Sequence, residues 1–165
     1  MKQLPVPLEF RLPNEHWEPM VPETLGVEYA AFLAVRRNLD PAYSPTITIS
    51  GDYRLDEATL SDIADEAVAK YQGQVDQLRL LQRQDIGSAE APGISQLIGM
   101  SAPIDGTHFD LRQGQILMAL IDQDDPTKRV VLIYTLSCTA DQLAQMSGEF
   151  QEFLASTRPF PEQQG

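Results

Sequence analysis

The sequence predicts one α+β domain in which two amphipathic helices cover a mainly antiparallel sheet of six or seven strands. Three observations carry that expectation. Short stretches with apolar residues at every second position dominate the chain and follow one another through brief turns, whereas parallel strands need long crossovers. The period lengthens to that of a helix in two places only, near 57–72 and 140–156. The composition, 42% hydrophobic over 165 residues, suffices for one core without a disulfide or metal staple. It excludes a disordered, collagenous or disulfide-stapled chain.

The elements follow in order. Residues 1–26 hold Pro5, Pro7, Pro13, Pro19 and Pro22 around Leu8-Glu9-Phe10-Arg11-Leu12, an alternating stretch read as an edge strand. Val27 to Arg36 alternates in period two and is expected to be a strand, as is Thr46 to Ser50, closed by Gly51-Asp52. Leu60, Ile63, Ala64, Ala67, Val68 and Tyr71 form one helical stripe, with Asp56 as the expected N-cap and Gly73 as the stop. Strands are expected over Leu78–Gln84, Ile94–Met100 and Phe109–Ile121, with Gly114 as a bulge. Val130 to Cys138 is apolar on both faces near its start, which points to a central strand. Thr139 and Gln142 form a capping box for the last helix, whose inward stripe is Leu143, Met146, Phe150, Phe153 and Leu154. Gly148 inside that helix suggests close packing. The ends, 1–7 and 160–165, are expected to be loose.

The chain carries 24 acidic and 12 basic residues, a net charge of −12. Such a surface repels phosphate, so a nucleic-acid partner is not expected. No run of 18 apolar residues exists for a membrane span. Prolines and charges interrupt the first residues where a secretory signal needs an apolar run, and no early cysteine offers a lipidation site. A cytoplasmic location is the expectation; the alternative is a chain from which a native signal has been removed.

Certain residues carry a resemblance. A proline-rich start leads into Leu12-Pro13-Asn14-Glu15-His16-Trp17, two strands, a helix after a long turn, and four more strands that run into Thr139-Ala140-Asp141-Gln142. Over residues 8–158 this resembles the actinobacterial LpqN-type domain, within the wider PsbP-like group that includes the Ran-binding Mog-type proteins. The resemblance implies a PsbP-like α/β/α sandwich and a binding or accessory role without known chemistry. Relatives in that group are photosystem accessory subunits, Ran-binding proteins, lipoproteins and secretion-effector chaperones. The lipoproteins carry a signal and a lipidated cysteine, which this sequence lacks. The group has no agreed active site, so no functional residue is carried over.

The residues themselves offer little chemistry. His16 and His108 lack metal-ligand spacing and read as loop residues. Cys138 falls on the face of Leu132, Tyr134 and Leu136 and reads as buried packing. Asp122-Gln123-Asp124-Asp125 fails the calcium-loop pattern because Pro126 and Thr127 follow. No phosphate-cradle, dinucleotide or nucleophile-elbow motif occurs. No catalytic residue, cofactor or metal is therefore expected. Trp17 is either a plug at one end of the core or an exposed partner contact. Asp62, Asp65 and Glu66 on the first helix, with Asp122, Asp124 and Asp125 in the last hairpin, are candidate contacts for a basic protein client. A second copy of the chain remains an open alternative as partner. The functional expectation is a non-enzymatic accessory protein for a secreted or membrane-associated client. The alternative is a hydrolase-like enzyme with a site assembled from dispersed residues, and converging titratable groups in a deep pocket would favour it.

Overall fold

The protein is described from a computed structural model covering residues 4–5, 7–89, 91–121, 125 and 128–159. Among the described residues, Trp17–Met20 (β2), Phe32–Arg36 (β3), Thr46–Tyr53 (β4), Asp76–Gly87 (β5), Pro92–Ile104 (β6), Thr107–Ile121 (β7) and Arg129–Thr139 (β8) form one antiparallel sheet in the order β2-β3-β4-β8-β7-β6-β5. Leu8–Glu9 (β1) pairs separately with Arg158–Pro159 (β9) and ties the two ends of the domain together. Helices Leu60–Ala69 (α1) and Leu143–Ser156 (α2) lie on opposite faces of the sheet.

The two helices are offset. α2 packs over β3, β4 and β8, where Met146, Phe150 and Phe153 meet Ala34, Ile47, Ile49, Leu132 and Leu136. α1 covers β6, β7 and β8 on the other face, with Ile63 and Ala64 against Ile94, Leu117 and Val131. β8 lies at the centre of the sheet and is buried on both faces, as its continuous apolar run requires. Phe10 closes the α2 side, with its ring 4.7 Å from that of Phe32 and 5.3 Å from that of Phe153. Of the ends expected to be loose, residues 1–3, 6 and 160–165 lie outside the described residues, while Leu4 packs against the core.

The structure corrects several local expectations. Only Phe32–Arg36 of the stretch 27–36 is a strand. A 3-10 turn over Pro22–Leu25 ends at Gly26, whose φ of 72° suits glycine, and the next amides bond locally, Val27 to Pro22 and Ala30 to Val27. Those amides are spent on turns, so the pattern at 27–30 stays off the ladder, and the Ala31 amide is the first to donate to β4, at the Ile49 carbonyl. Of the strand expected over 8–12, only Leu8 and Glu9 pair. β2 was hidden in the proline-rich segment, where an edge position tolerates Pro19. The N-cap of α1 is Thr59 rather than Asp56. Its hydroxyl accepts from the Asp62 amide while the Asp62 carboxylate accepts from the Thr59 amide, a reciprocal capping box.

Gly114 pairs in regular register, and the bulges lie in β5, between Asp76 and Arg79 and between Leu80 and Gln82. No close packing surrounds Gly148: a Cβ there would meet nothing within 4 Å. His108 belongs to a strand rather than a loop. Asp105 and Gly106, at φ of 50° and 81°, turn β6 directly into β7, as an Asp-Gly pair does in a two-residue hairpin.

Candidate functional site

Because α2 covers only one half of its face, the other half of that face is left without a helix. A helix fills about 8–10 Å of width, and seven strands spaced about 4.8 Å apart span roughly 29 Å. The floor of the uncovered half is β5, β6 and β7, and its wall is the flank of α2. There Gln82, Gln84, Ser95, Leu97 and Ile116 face Leu143, Ser147, Phe150, Gln151 and Leu154 across a groove of about 340 Å³. A second cavity of about 330 Å³ shares Ile116 and Leu154 with it and continues toward Leu8, Met118 and Leu120, ending at Arg158.

Gly114 makes the floor low. A Cβ at that position would meet only the Leu136 Cβ, at 4.0 Å. The larger groove is lined by amides, hydroxyls and apolar side chains, with no charged side chain among them. That is a marked local neutrality in a chain of 36 charged residues. With no carboxylate, imidazole, amine or thiol among its lining side chains, the groove can bury apolar surface and exchange neutral hydrogen bonds, and the Ser95 and Ser147 hydroxyls have no charged side chain beside them in the lining. Among the described residues no group of three or more His, Cys, Asp or Glu is placed to hold a metal.

The wall of the groove is held in place from behind. Glu149, on α2, accepts hydrogen bonds from Trp17 Nε1 (2.8 Å), Asn14 Nδ2 (2.9 Å) and Arg36 Nε (3.0 Å) on one oxygen, and from Arg36 Nη2 on the other. Arg36 is 6% exposed and Trp17 3%. Burial opposes the Glu149 charge, but the bonds from Arg36, Trp17 and Asn14 outweigh it and hold the carboxyl below its ordinary range. This cluster fixes α2 against β2 and β3, and so sets the groove's width.

A second buried polar row lies on the α1 face. Arg83 Nε donates to Gln96 Oε1, and Gln96 Nε2 donates to Gln115 Oε1 at 2.7 Å and to the Ala64 carbonyl. Buried amides satisfied in this way keep the strands in one register.

The fold has counterparts among solved structures. LpqN of Mycobacterium tuberculosis, described as involved in cell envelope biogenesis, superposes with a TM-score of 0.64 at 13% identity, covering 95% of this chain and 86% of its own. The solution structure of cyanobacterial PsbP from Synechocystis sp. PCC 6803 gives 0.57 at 13% identity, over 93% of this chain and 86% of its own. The chain has the LpqN/PsbP-like fold. PA94 of Pseudomonas aeruginosa, a protein of unknown function, shares it with a TM-score of 0.56 at 20% identity, over 78% of this chain and 82% of its own. No protein-family model matches the chain, and no curated protein matches it in sequence. None of the three neighbours is described as an enzyme.

On this fold the sequence-derived contact residues scatter. Trp17 is a core plug bonded to Glu149, so its ring is not available to a partner. Asp62, Asp65 and Glu66 do share the outer side of α1, each with an internal role. Asp62 caps the helix, and its two hydrogen bonds from Thr59 hold it below the usual carboxylate range. Asp65 pairs with Arg83 at 2.7 Å and Glu66 with Arg54 at 2.9 Å. Asp125 lies in the β7–β8 connection, where its carbonyl accepts from the Lys128 amide. Asp122 and Asp124 lie outside the described residues.

Cys138 is buried on the α2 face, and burial pushes its thiol up to about 11, with Arg112 pulling slightly the other way. His16 is half-buried in the segment before β2, and His108 is exposed, 3.8 Å from Asp76. The groove residues were missed. Gln82 and Gln84 look like an ordinary polar strand edge, and no local pattern reveals that α2 stops short of them. The one available signal is numerical: two helices are too few to cover both faces of seven strands.

Proposed function

We propose that the chain is a non-enzymatic accessory protein whose uncharged groove, between α2 and β5–β7, holds an apolar segment of a client protein. The carrying observation is the groove itself: open, apolar with neutral hydrogen-bonding groups, and without any titratable side chain among the larger groove's lining residues. Its volume falls within the range of built ligand sites, and an uncovered apolar face of this kind marks an interaction surface. A client that is secreted or membrane-associated carries segments of this character. The roles printed for LpqN and PsbP belong to those proteins and support only the general kind of role. Excess acid elsewhere on the surface favours clients with basic residues beside the apolar segment, through faster encounter. The cytoplasmic location is proposed with it, and cell fractionation checks it.

The test uses Gly114→Val. The open space above Gly114 accepts a β-branched side chain that suits a strand, so the variant fills the groove while keeping the fold. Wild type and variant serve as paired baits in native-cell capture, and the apolar segment of any differential client is then titrated against both. Loss of binding at an unchanged melting temperature supports the groove. Equal binding by both baits sinks it. Affinity that collapses between about 0.05 and 0.5 M salt, where the Debye length shrinks several-fold, assigns the client to the acidic surface instead.

A further inference from the structure

A second cleft opens on the α1 face, across the sheet from the groove. α1 covers β6, β7 and β8 there, and Tyr29, whose hydroxyl bonds the Thr48 side chain of β4, stands beside it. Between them a cavity of about 200 Å³ stays open. Its floor is a block of residues paired across β4 and β8, Ser50 with Ile133 and Asp52 with Val131, and Ile63 of α1 packs on Val131 above it.

The cleft is apolar in the middle and oppositely charged at its two ends. Lys70, where α1 stops, supplies the cation. The acid four residues earlier on a helix is the usual partner of a lysine, but Glu66 is turned to Arg54 at 2.9 Å. Lys70 pairs with no carboxylate among the described residues, and its ammonium lies 3.3 Å from the centroid of the Tyr29 ring. That contact takes one side of the ammonium and leaves N–H groups for an acceptor. The half-buried Ser50, two residues along β4 from Thr48, adds a hydroxyl bonded to no described residue. Asp52 lies two residues further on the same face of β4, about 7 Å from Ser50 by strand geometry. At that end Asp52, Asp56 and Glu66 outnumber Arg54 and Arg129.

We propose that this cleft binds a short unbranched ω-amino acid, its carboxylate received by Lys70 and Ser50, its methylenes lying on Ile133 and Val131 beneath Ile63, and its amine at Asp52. A chain of about four methylenes between the two charges spans the distance from Ser50 to Asp52. The cavity is smaller than the sites that hold drug-sized ligands, which limits the ligand to such a size. An α-amino acid carries both charges next to each other and cannot reach both ends. The cleft does not rest on the client reading, since it shares no lining residue with the groove.

The test is a chemical-shift titration of the full chain with 5-aminopentanoate, its isomer norvaline, pentanoate and pentylamine, each to about 10 mM, a range that covers millimolar affinity. 5-Aminopentanoate should move the amides of Ser50, Gly51 and Asp52 and bind about tenfold or more tightly than the other three, the worth of a charge-assisted hydrogen bond. Lys70→Met keeps the apolar stem at an exposed position, so it should leave the melting temperature unchanged and weaken 5-aminopentanoate about tenfold. Asp52→Asn, also exposed, should abolish the advantage of 5-aminopentanoate over pentanoate. No shift at these amides, equal affinity for norvaline, or undiminished binding by Lys70→Met overturns the site. An advantage over pentanoate that survives in Asp52→Asn overturns the placing of the amine and with it the ω-amino acid.

Discussion

Replacing Glu149 by alanine removes the carboxylate on which Arg36, Trp17 and Asn14 converge. Arg36 cannot follow its charge into water, because its side chain is only 7% exposed. Removing one member of a buried ion pair costs about 3–5 kcal/mol, mostly from the charge left behind. For a chain of this size each kcal/mol lowers the melting temperature by about 2–4 °C, so thermal denaturation followed by circular dichroism should show a drop of about 6–20 °C. Glu149→Gln keeps an acceptor for Trp17 and should cost less, about 1–3 kcal/mol. The double variant Arg36→Met/Glu149→Leu should cost less than the two single losses added, because neither buried charge remains.

The same carboxyl sets a pH dependence. Its folded pKa is depressed below the ordinary 4.5, so its contribution is complete above about pH 4.5 and is lost as pH falls through the lowered folded value. In Glu149→Gln that part of the acid destabilisation should vanish. A Glu149→Ala protein that melts within about 2 °C of wild type would refute the reasoning, since it would mean that Arg36 is solvated without its partner.

Two further outcomes follow from the core. Leu132, 2% exposed at the centre of β8, should cost about 2–5 kcal/mol as Leu132→Ala in a denaturant titration; an unchanged midpoint would contradict a central β8. Cys138, fully buried with its thiol raised to about 11, should resist an aromatic disulfide reagent at pH 8 in the native state and react only on unfolding. Rapid labelling of the folded chain would contradict the packing at the β8–α2 layer.

Periodicity along the chain was enough to place both helices and the capping box at Thr139, because these rest on contacts between residues close in sequence, and the central strand, because burial on both faces shows as a continuous apolar run. It was also enough to put Cys138 on the face of Leu132, Tyr134 and Leu136, since alternation alone decides a strand's sides. Local pattern misled at 27–30, where the Val27 and Ala30 amides bond within turns rather than to a neighbouring strand. It was silent at Trp17–Met20, where prolines disguised an edge strand that only its pairing with β3 creates. The groove belongs wholly to the tertiary structure. Gln82, Ser95, Gly114 and Ser147 stand far apart in the chain and share no motif. They meet because the strand order places β5, β6 and β7 on the side that α2 does not reach. The width of one helix against seven strands decides which surface remains open, and no local pattern of residues encodes that comparison.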